Sequence, residues 1–399
     1  MGVLYISYDG MLEPLGQSQV LTYLERLAPD WRIHLVSFEK AEDWADLPRR
    51  QALRKRIAQA GITWHPRRYH KRPSTVVTAW DVIVGVVTGL WLAWRHRLRI
   101  VHARSYVAAL MALVLKRLAG MRFLFDMRGF WADERVDGGL WPRDGRMYRI
   151  AKGFERRFLL SADHVVSLTH AAVVEMQRFD YLQGGMPPVT VIPTCADLER
   201  FMPIEGRRDP RAFTLGYVGS AGTWYLFDAV ARAMRLLLDL RPEARLLVVN
   251  RGEHEHIRAC LRTAAIPDSC VELRRADPAE MPELMARMDA AVFFIKPVFS
   301  KQASAPTKLG ELLGCGIPVL ANTGVGDMAT ILVEDTVGIA VSGFDADSLR
   351  QGMRDLLALV AQPGIRERCV ASARRHFSLK EGVARYSAIY ERLVSGCAS

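Results

Sequence analysis

Short apolar runs alternate with helix-like segments along most of the chain, and this alternation constrains the fold more than any other feature. Seven such runs occur up to residue 194, from "VLYISYD" to "VTVIPT", and six more follow, from "FTLGYVG" to "GIAVSG". Each run is short, continuous and rich in β-branched or aromatic residues, which is typical of a parallel strand buried on both faces. The alternation predicts an α/β protein with two doubly wound, Rossmann-like domains.

A polar, charged segment, "LERFMPIEGRRDPRA", separates the two series of runs. At 399 residues the chain is also long for a single core. We predict a first domain over residues 1–200, a linker over 201–212, a second domain over 213–376 and a final helical segment over 377–399. Tandem α/β domains face a cleft, and such clefts are preferred ligand sites.

The segment "SAPTKLGELLGCGIPVLANTG", residues 304–324, joins two predicted strands of the second domain. Pro306 fits the first turn of a helix, and Gly314 and Gly316 fit its end. These positions predict a helix of about two turns. Because the helix follows a parallel strand, its N-terminus opens at the carboxyl edge of the sheet, where ligands of such folds bind.

The polar residues of this helix predict a nucleotide site. Free N–H groups, the positive end of the helix dipole, Ser304, Thr307 and Lys308 together favour an anion, most simply a phosphate. Glu311 lies one turn after Thr307 on the same face, where its carboxylate can accept two hydrogen bonds from a ribose diol. The alternative is a surface ion pair between Lys308 and Glu311 on a helix that binds nothing.

The turns after the first strand of each domain are further candidates for ligand contact. Gly16 follows the first strand of the chain, and Gly219, Ser220 and Gly222 follow the first strand of the second domain. Glycine lets a backbone approach a ligand closely, and the N–H groups of the second turn can cradle a diphosphate. No G-x-G-x-x-G is present, so the sequence does not support a nicotinamide fingerprint. Ordinary loops are the alternative.

Charged residues cluster at and after one strand end in "FLFDMRGFWADERVDGGLW". We predict that Asp126 and Arg128 face a site, because charged side chains at the carboxyl end of a buried strand commonly do. A structural network of arginine and carboxylate pairs is the alternative. On the preceding strand, "VHARSY" adds Arg104 and His102, the second of which is more typical of a satisfied core residue.

The net charge of +11 is concentrated in one region. Residues 51–120 contain thirteen Lys or Arg and one acid, Asp81. Such a region attracts nucleic acid, an acidic membrane surface or an acidic substrate. Its basic residues lie on both sides of the apolar segment "STVVTAWDVIVGVVTGLWLAW". Basic residues and tryptophans at the ends of an apolar helix are typical of a helix lying in a bilayer interface. A transmembrane span, which Asp81 disfavours, and a buried helix are the alternatives.

Other patterns indicate a cytoplasmic protein without a metal site. The six cysteines form no C-x-x-C pair, and "MGVLYISYDG" lacks the basic start of a signal peptide, so we expect reduced thiols. "DAD" at 345–347 begins a late helix, where Asp is an ordinary N-cap. The histidines of "HEH" at 254–256 point to different faces of a helix.

The order of these motifs resembles a family 4 glycosyltransferase of the GT-B fold. "ASAPTKLGELLGCGIPVLANTGVGD" is similar to the donor-binding signature of that family, "VIPTCADLERF" resembles the segment that closes its first domain, and "HFSLKEGVARYSAIYERLV" resembles its final helix, which packs back on the first domain. The resemblance implies a retaining, metal-independent transfer of a sugar from a nucleotide-sugar donor held mainly by the second domain. It assigns Glu311 to the donor ribose, and Ser304 and Thr307 to the diphosphate.

Two departures from the family pattern change the expected site. Ala303 stands where the family often has a glutamate, and Ser220 stands where it tends to have a basic residue. We therefore assign the neutralisation of phosphate charge to Lys301 and Lys308, and leave open which residue replaces the missing glutamate. Asp126 and Arg128 are the nearest match to the histidine that the first domain of the family commonly presents.

The sequence thus predicts a glycosyltransferase, of hexosyl type, that builds cell-surface polysaccharide or glycolipid on a glycan or lipid-linked acceptor. It predicts no cofactor besides the donor, no nucleic-acid partner, and a peripheral position on the inner face of the plasma membrane. A nucleotide-sugar epimerase or hydrolase, and a non-catalytic or nucleic-acid-binding protein, are the alternatives. Base, sugar, linkage and oligomeric state are not predicted.

Overall fold

The computed structural model describes residues 1–70, 74–206 and 212–395, with the backbone alone for 74–76. Lys71 and Arg72 of the basic region, part of the predicted linker, and Cys397 therefore lie outside the described residues. The chain forms two compact units. The first comprises Met1–Ile192 and the residues from Lys380 onward, and the second comprises Pro193–Leu379.

All thirteen predicted strands are present, and they form two parallel sheets. The first sheet contains β1 Gly2–Ser7, β2 Arg32–Glu39, β3 Thr63–Arg68, β4 Ile100–Arg104, β5 Arg122–Asp126, β6 His164–Ser167 and β7 Val189–Val191. The second contains β8 Thr214–Val218, β9 Arg245–Val249, β10 Val271–Arg274, β11 Ala290–Val292, β12 Val319–Asn322 and β13 Gly338–Val341. β11 is shorter than the apolar run "AAVFFIK" that predicted it.

Both sheets are doubly wound, as predicted. The strand order is β3-β2-β1-β4-β5-β6-β7 in the first and β10-β9-β8-β11-β12-β13 in the second. The order reverses between β1 and β4, and again between β8 and β11. In such sheets the carboxyl ends of the strands beside a reversal form a ligand-binding crevice.

The helices fill the crossovers between the strands. They are α1 Pro14–Gly16, α2 Thr22–Leu27, α3 Ala41–Ala45, α4 Leu47–Gln59, α5 Ser74–His96, α6 Ser105–Ala119, α7 Trp131–Asp137, α8 Arg146–Ser161, α9 His170–Gln177, α10 Phe227–Leu240, α11 His254–Thr263, α12 Met281–Ala286, α13 Thr307–Gly314, α14 Met328–Glu334, α15 Ala346–Val360, α16 Ile365–Phe377 and α17 Leu379–Ser395. A π-helical stretch, Gln17–Leu21, joins α1 to α2. Short 3-10 helices lie at Asp180–Leu182, Asp268–Cys270, Pro278–Glu280 and Phe299–Ala303.

Helix α13 has the predicted length, but its ends differ in detail. Pro306 is the residue before the helix rather than part of its first turn. Only Gly316 has the predicted positive φ, at 72°. Gly314 is needed for another reason, because a Cβ there would lie 2.7 Å from the carbonyl oxygen of Phe201. This glycine lets α13 pack directly on the segment that enters the second unit.

Helix α5 packs one face on the first unit and leaves the other face exposed. Cβ atoms added at Gly85 and Gly89 would lie 2.4 Å from Met111 Sδ and 2.8 Å from Leu115 Cδ1, so α6 sits directly against α5. Asp81 is 1% exposed, so this face of α5 is covered by the protein and is not open to lipid. By length and composition alone, Val77–His96 could cross a membrane, but 33% of its most apolar window is buried in the protein.

Candidate functional site

Lys308 is a buried, unpartnered cation on α13. Only 8% of the residue is exposed. Its Nζ lies 3.8 Å from the ring centroid of Tyr225, 5.0 Å from that of Phe293 and 5.2 Å from that of Tyr217. It has no hydrogen-bond partner within the described part of the chain. Aromatic faces attract a cation but do not replace its hydrogen bonds, so this ammonium group is suited to receive an anion.

The ammonium group of Lys308 lies against the glycine turn that follows β8. Gly219 has a φ of 105°, and a Cβ there would lie 2.9 Å from Lys308 Nζ. Burial lowers the pKa of Lys308 to about 7, although Glu311 and Glu253 act to raise it. Any anion that enters beside Gly219 would raise this pKa again and restore the full positive charge.

Glu253 occupies the part of the turn that the sequence assigned to a diphosphate. Its carboxylate accepts hydrogen bonds from the N–H groups of Ala221, at 2.8 Å, and Gly222, at 3.0 Å. Asn250 Nδ2 donates to the same carboxylate at 2.8 Å and to the carbonyl oxygen of Gly219 at 2.9 Å. Burial acts to raise the pKa of Glu253, but these hydrogen bonds lower it overall. The sequence had suggested that these two N–H groups are free to bind a diphosphate, but they already donate to Glu253. A diphosphate must therefore share them with the carboxylate or displace it.

Glu311 lies on α13 one turn from Lys308, but the two side chains do not form the surface ion pair of the alternative interpretation. Lys308 is buried, and no oxygen of Glu311 lies within 4.0 Å of its Nζ in the described structure. Burial raises the pKa of Glu311 to about 7, opposed by Arg200 and Lys308. The carboxyl is half-buried and accepts no hydrogen bond from any described residue. Its acceptor capacity is therefore available to a ligand.

The other predicted donor residues lie around the start of α13. Ser304 and Thr307 are both half-buried; Thr307 is the first residue of the helix, and Ser304 lies three residues before it. Lys301 is 6% exposed, and its Nζ lies 3.8 Å from the centroid of the Trp224 ring. Ser220 is exposed, and its carbonyl oxygen accepts a hydrogen bond from Tyr217.

Asn322, at the end of β12, shapes this region and was not predicted. Its Nδ2 donates to the carbonyl oxygens of Ile295, at 2.9 Å, and Thr323, at 2.8 Å. Its Oδ1 accepts from the N–H of Ile295 at 2.8 Å. One buried amide therefore fixes the chain that leaves β11 and leads to Lys301 and α13.

The first unit holds a second charged cluster at the carboxyl ends of β4 and β5. Asp126 is 1% exposed and accepts a hydrogen bond from the hydroxyl of Tyr386 at 3.2 Å. Its carboxylate oxygens lie 3.7 Å from His102 Nε2, 3.8 Å from Arg104 Nη1 and 3.8 Å from Arg128 Nη1. Burial acts to raise the pKa of Asp126, but Arg128, His102 and Arg104 outweigh it and lower the pKa. Asp126 is thus an ionised anchor for the two arginines.

His102 and Arg128 differ in their exposure to the sheet edge. His102 is 1% exposed, its Nδ1 lies 2.7 Å from the hydroxyl of Tyr390, and burial lowers its pKa, which fits the core interpretation. Arg128 has a φ of 58°, unusual for a residue with a side chain, and its side chain is 12% exposed. Of the two predicted residues of this cluster, Arg128 rather than Asp126 can therefore reach a ligand.

Gly16 allows the turn after β1 to pack closely on itself, and this accounts for the glycine without an anion site. A Cβ there would lie 2.1 Å from the carbonyl oxygen of Gly10. The N–H groups of Met11 and Leu12 donate to the carboxylate of Glu39, at 2.9 and 3.1 Å. In both units, then, a carboxylate at the end of the second strand holds the turn that follows the first strand.

Glu253 and Asn250 had a signal in the sequence that the prediction did not use. Both follow the buried strand β9 within four residues of its end. Polar residues at that position were treated as candidates after β5, and the same reasoning applies to "VNRGE". Asn322, the last residue of the buried strand β12, carried the same signal. Tyr225 did not, because its importance depends on contacts with distant residues.

Known proteins resemble this chain in both units. Residues 16–195 match the family model described as "Glycosyl transferase 4-like domain", and residues 212–358 match that described as "Glycosyl transferases group 1". A GDP-mannose-dependent monoacylated alpha-(1-6)-phosphatidylinositol monomannoside mannosyltransferase from Corynebacterium glutamicum is 26% identical over 207 residues, or 48% of this chain and 52% of that protein. The chain thus spans about half the length of this curated relative.

Solved structures share the fold over nearly the whole chain. Sucrose-phosphate synthase from Thermosynechococcus elongatus has a TM-score of 0.76 at 14% identity, covering 99% of this chain and 100% of that one. HepE from Anabaena, in complex with UDP and glucose, has a TM-score of 0.68 at 14% identity, covering 98% and 99%. WaaG, a glycosyltransferase involved in lipopolysaccharide biosynthesis, has a TM-score of 0.63 at 17% identity, covering 96% and 98%. With a family model matched in each unit, this chain belongs to the family 4 glycosyltransferases and has the GT-B fold.

Proposed function

We propose that the protein transfers a hexose from a nucleoside diphosphate sugar, with retention of configuration, to a lipid-linked or glycan acceptor at the membrane surface. The observation that carries the donor part is Lys308, a buried cation that lies beside a glycine turn and has no hydrogen-bond partner among the described residues. A diphosphate supplies the missing acceptor oxygens and the opposite charge. Glu311, one helical turn away, accepts no hydrogen bond from the described part of the chain, so its oxygens can receive the ribose diol.

The same arrangement supports a role for Lys308 in the chemical step. The leaving nucleoside diphosphate gains negative charge as the glycosidic bond breaks, and a prearranged cation stabilises that charge without reorganisation. The N-terminus of α13, with Ser304 and Thr307, adds N–H groups of the same polarity. Lys301 is proposed as a second source of positive charge. We propose that this transfer needs no metal ion and no other cofactor.

The first unit is proposed to receive the acceptor. Arg128 is the candidate for direct contact with the sugar or the acceptor, and Asp126 is proposed to position it. Replacing Arg128 by lysine should lower kcat more than it raises the KM for the donor if the contact is with the reacting groups. Asp126→Asn should also lower kcat, because Arg128 loses the carboxylate that positions it. The pH dependence of kcat should differ between this variant and the wild type.

A lipid-linked acceptor is supported by α5 and by the named activity of the Corynebacterium relative, which acts on a phosphatidylinositol mannoside. The exposed face of α5 carries a stripe of large apolar side chains, 53–80% exposed: Trp80, Ile83, Val87, Trp91 and Trp94. The stripe extends over about 21 Å of helix. Basic residues follow its C-terminal end at Arg95, Arg97 and Arg99, which are also exposed. We propose that this surface places the protein on the inner face of the plasma membrane.

The donor assignment is tested by thermal stabilisation with UDP, GDP, ADP, CMP and their sugars. One nucleotide at about a hundred times its Kd should stabilise the wild type by about 2.7 kcal/mol. Lys308→Met and Glu311→Gln should lose most of the effect, whereas Lys380→Met, which removes an exposed charge, should retain it. If no nucleotide stabilises the wild type, the donor site is wrongly assigned. Product analysis with the stabilising nucleotide sugar, with and without EDTA, then tests transfer, anomeric outcome and metal independence.

The membrane part has its own test. Co-sedimentation with vesicles containing anionic lipid should be strong at low salt and should fall for Trp94→Glu. Arg350→Glu, a charge change on α15 in the second unit at a side chain that is 40% exposed, is the control. Equal recovery of wild type and Trp94→Glu with the vesicles would remove α5 from the proposal.

A further inference from the structure

An apolar cavity of about 190 Å³ opens on the first unit, beside α5, α6, α7 and α8. Its lining is almost entirely apolar and includes Tyr106, Leu110, Trp131, Trp141, Phe154 and Phe158. Monomeric soluble proteins normally fill such a space with their own side chains, so an aromatic-lined opening marks a ligand or partner site.

Aromatic rings form much of the cavity wall, and the hydroxyl of Tyr106 is already hydrogen-bonded within the protein. The hydroxyl of Tyr106 donates to Glu155 at 2.5 Å. The ring of Trp131 packs edge-on against Trp141, with centroids 5.2 Å apart. Phe154 and Phe158 stack at 6.0 Å. The walls therefore offer mainly ring faces and methyl groups, with very little polar surface, which suits a hydrocarbon chain rather than a sugar or a nucleotide base.

Two guanidinium groups pack on aromatic rings that belong to the lining of the same cavity. The guanidinium of Arg135 lies 5.2 Å from the centroid of Trp131, and that of Arg157 lies 5.4 Å from the centroid of Phe154. Neither forms an ion pair with any residue in the described ranges. These two cations beside the aromatic walls complement an anionic head group attached to the chain.

Two residues that line the cavity follow closely in the sequence after the arginines of the charged sheet edge, which is proposed to receive the acceptor. Tyr106 lies two residues after Arg104, and Trp131 three residues after Arg128. Parallel strands deliver these residues to the same edge of the sheet. The cavity therefore lies in the same part of the first unit as Arg104 and Arg128.

We propose that this cavity binds the hydrocarbon tail of the acceptor, an alkyl or isoprenyl phosphate, with Arg135 and Arg157 at the phosphate. The proposal deepens the proposed function, because it rests on a lipid-linked acceptor. It is separate from the bilayer surface on α5: the stripe lies on the outside of that helix, whereas Thr78 and Val82 of α5 line the cavity.

Titration calorimetry of the full chain with decyl phosphate below its micellar concentration tests the proposal. We expect one molecule bound per chain, with inorganic phosphate much weaker. Ile150→Glu places a charge at a cavity-lining residue that is 53% exposed, so folding should not suffer. It should weaken binding at least tenfold. Leu160→Glu, on the same helix, 51% exposed and outside the lining, should leave binding unchanged.

The remaining arms separate the head group, the bilayer and the donor site. Arg157→Gln should weaken decyl phosphate but not decyl maltoside, which has the same chain without charge. If Trp94→Glu weakens decyl phosphate as much as Ile150→Glu does, the ligand lies on the α5 stripe and the cavity proposal is wrong. Absence of binding below the micellar concentration also overturns it. Nucleotide stabilisation measured on the same sample is independent, so either proposal can fail without the other.

Discussion

Replacing Lys308 by methionine tests whether its buried charge serves a ligand rather than the fold. Methionine keeps the unbranched shape of the side chain and removes the charge. Burial lowers the pKa of Lys308 from 10.5 to about 7. Each pKa unit corresponds to about 1.4 kcal/mol, so burying the ammonium costs about 4 kcal/mol of unfolding free energy at pH 7. The ligand-free variant should therefore be more stable than the wild type and should bind nucleoside diphosphates poorly.

The pH dependence of this difference has a definite sign. The folded pKa of Lys308 lies below the unfolded one, so the folded protein binds fewer protons than the unfolded chain between pH 7 and 10.5. The wild type should therefore gain on the variant as the pH rises through this window, by about 1.4 kcal/mol per pH unit. Below pH 7 the advantage of the variant should be largest and constant.

Scanning calorimetry from pH 6 to pH 9 measures the effect. A change of 1 kcal/mol moves the Tm of a unit of this size by about 2–4 °C, so Lys308→Met should melt about 10 °C higher at pH 7. Lys380→Met should show neither the rise nor the pH dependence. Binding of a nucleoside diphosphate at pH 8.5 should take up about one proton in the wild type, because the phosphate raises the pKa of Lys308, and none in the variant. A variant no more stable than the wild type at pH 7, or one whose advantage persists unchanged to pH 9, refutes the reasoning.

Three further changes probe the rest of the second unit. Glu253→Gln should tighten nucleoside diphosphate binding severalfold, since the carboxylate competes for the turn N–H groups, and Glu255→Gln, on the first turn of α11, should not; thermal shift with the bound nucleotide compares them. The ratio of wild-type to Glu311→Gln affinity for that nucleotide should rise from pH 6 to pH 8, because Glu311, with a pKa of about 7, ionises and can accept both ribose hydrogens, whereas loss of the proton from Lys308 lowers both affinities alike; two profiles of identical shape would argue against the ribose contact. Asn322→Leu leaves the N–H and carbonyl of Ile295 unpaired, which should cost about 2–4 kcal/mol in urea unfolding; a loss below 1 kcal/mol would contradict the bridging role.

Most strands were predictable because they are buried on both faces and so appear as continuous apolar runs, whereas β3, β7 and β10 are only partly buried. The helix carrying Lys308 and Glu311 was predictable because proline and glycine mark its ends and a spacing of about one turn places polar residues together. What the sequence could not reveal was that Lys308 is buried among aromatic rings. That depends on Tyr217, Tyr225 and Phe293, which three different segments bring together.

The glycine turns show a different limit. The sequence identified Gly219 and Gly16 as positions where the backbone approaches a ligand, since glycine after a strand is a local signal. It could not show that Glu253 and Glu39 already accept the N–H groups of these turns. Such contacts join separate crossovers, and they become visible only once strand order is known.

The way α5 is held gives the first unit a fixed orientation on any surface it meets. Asp81 accepts hydrogen bonds from the hydroxyl of Tyr8, at 2.9 Å, and from the N–H of His70, at 3.2 Å, while Gly85 and Gly89 seat the helix on α6. The apolar stripe therefore cannot swing outward without breaking the unit. If a bilayer takes up the stripe, it therefore also sets the distance and the tilt of the sheet edge of this unit relative to the bilayer surface.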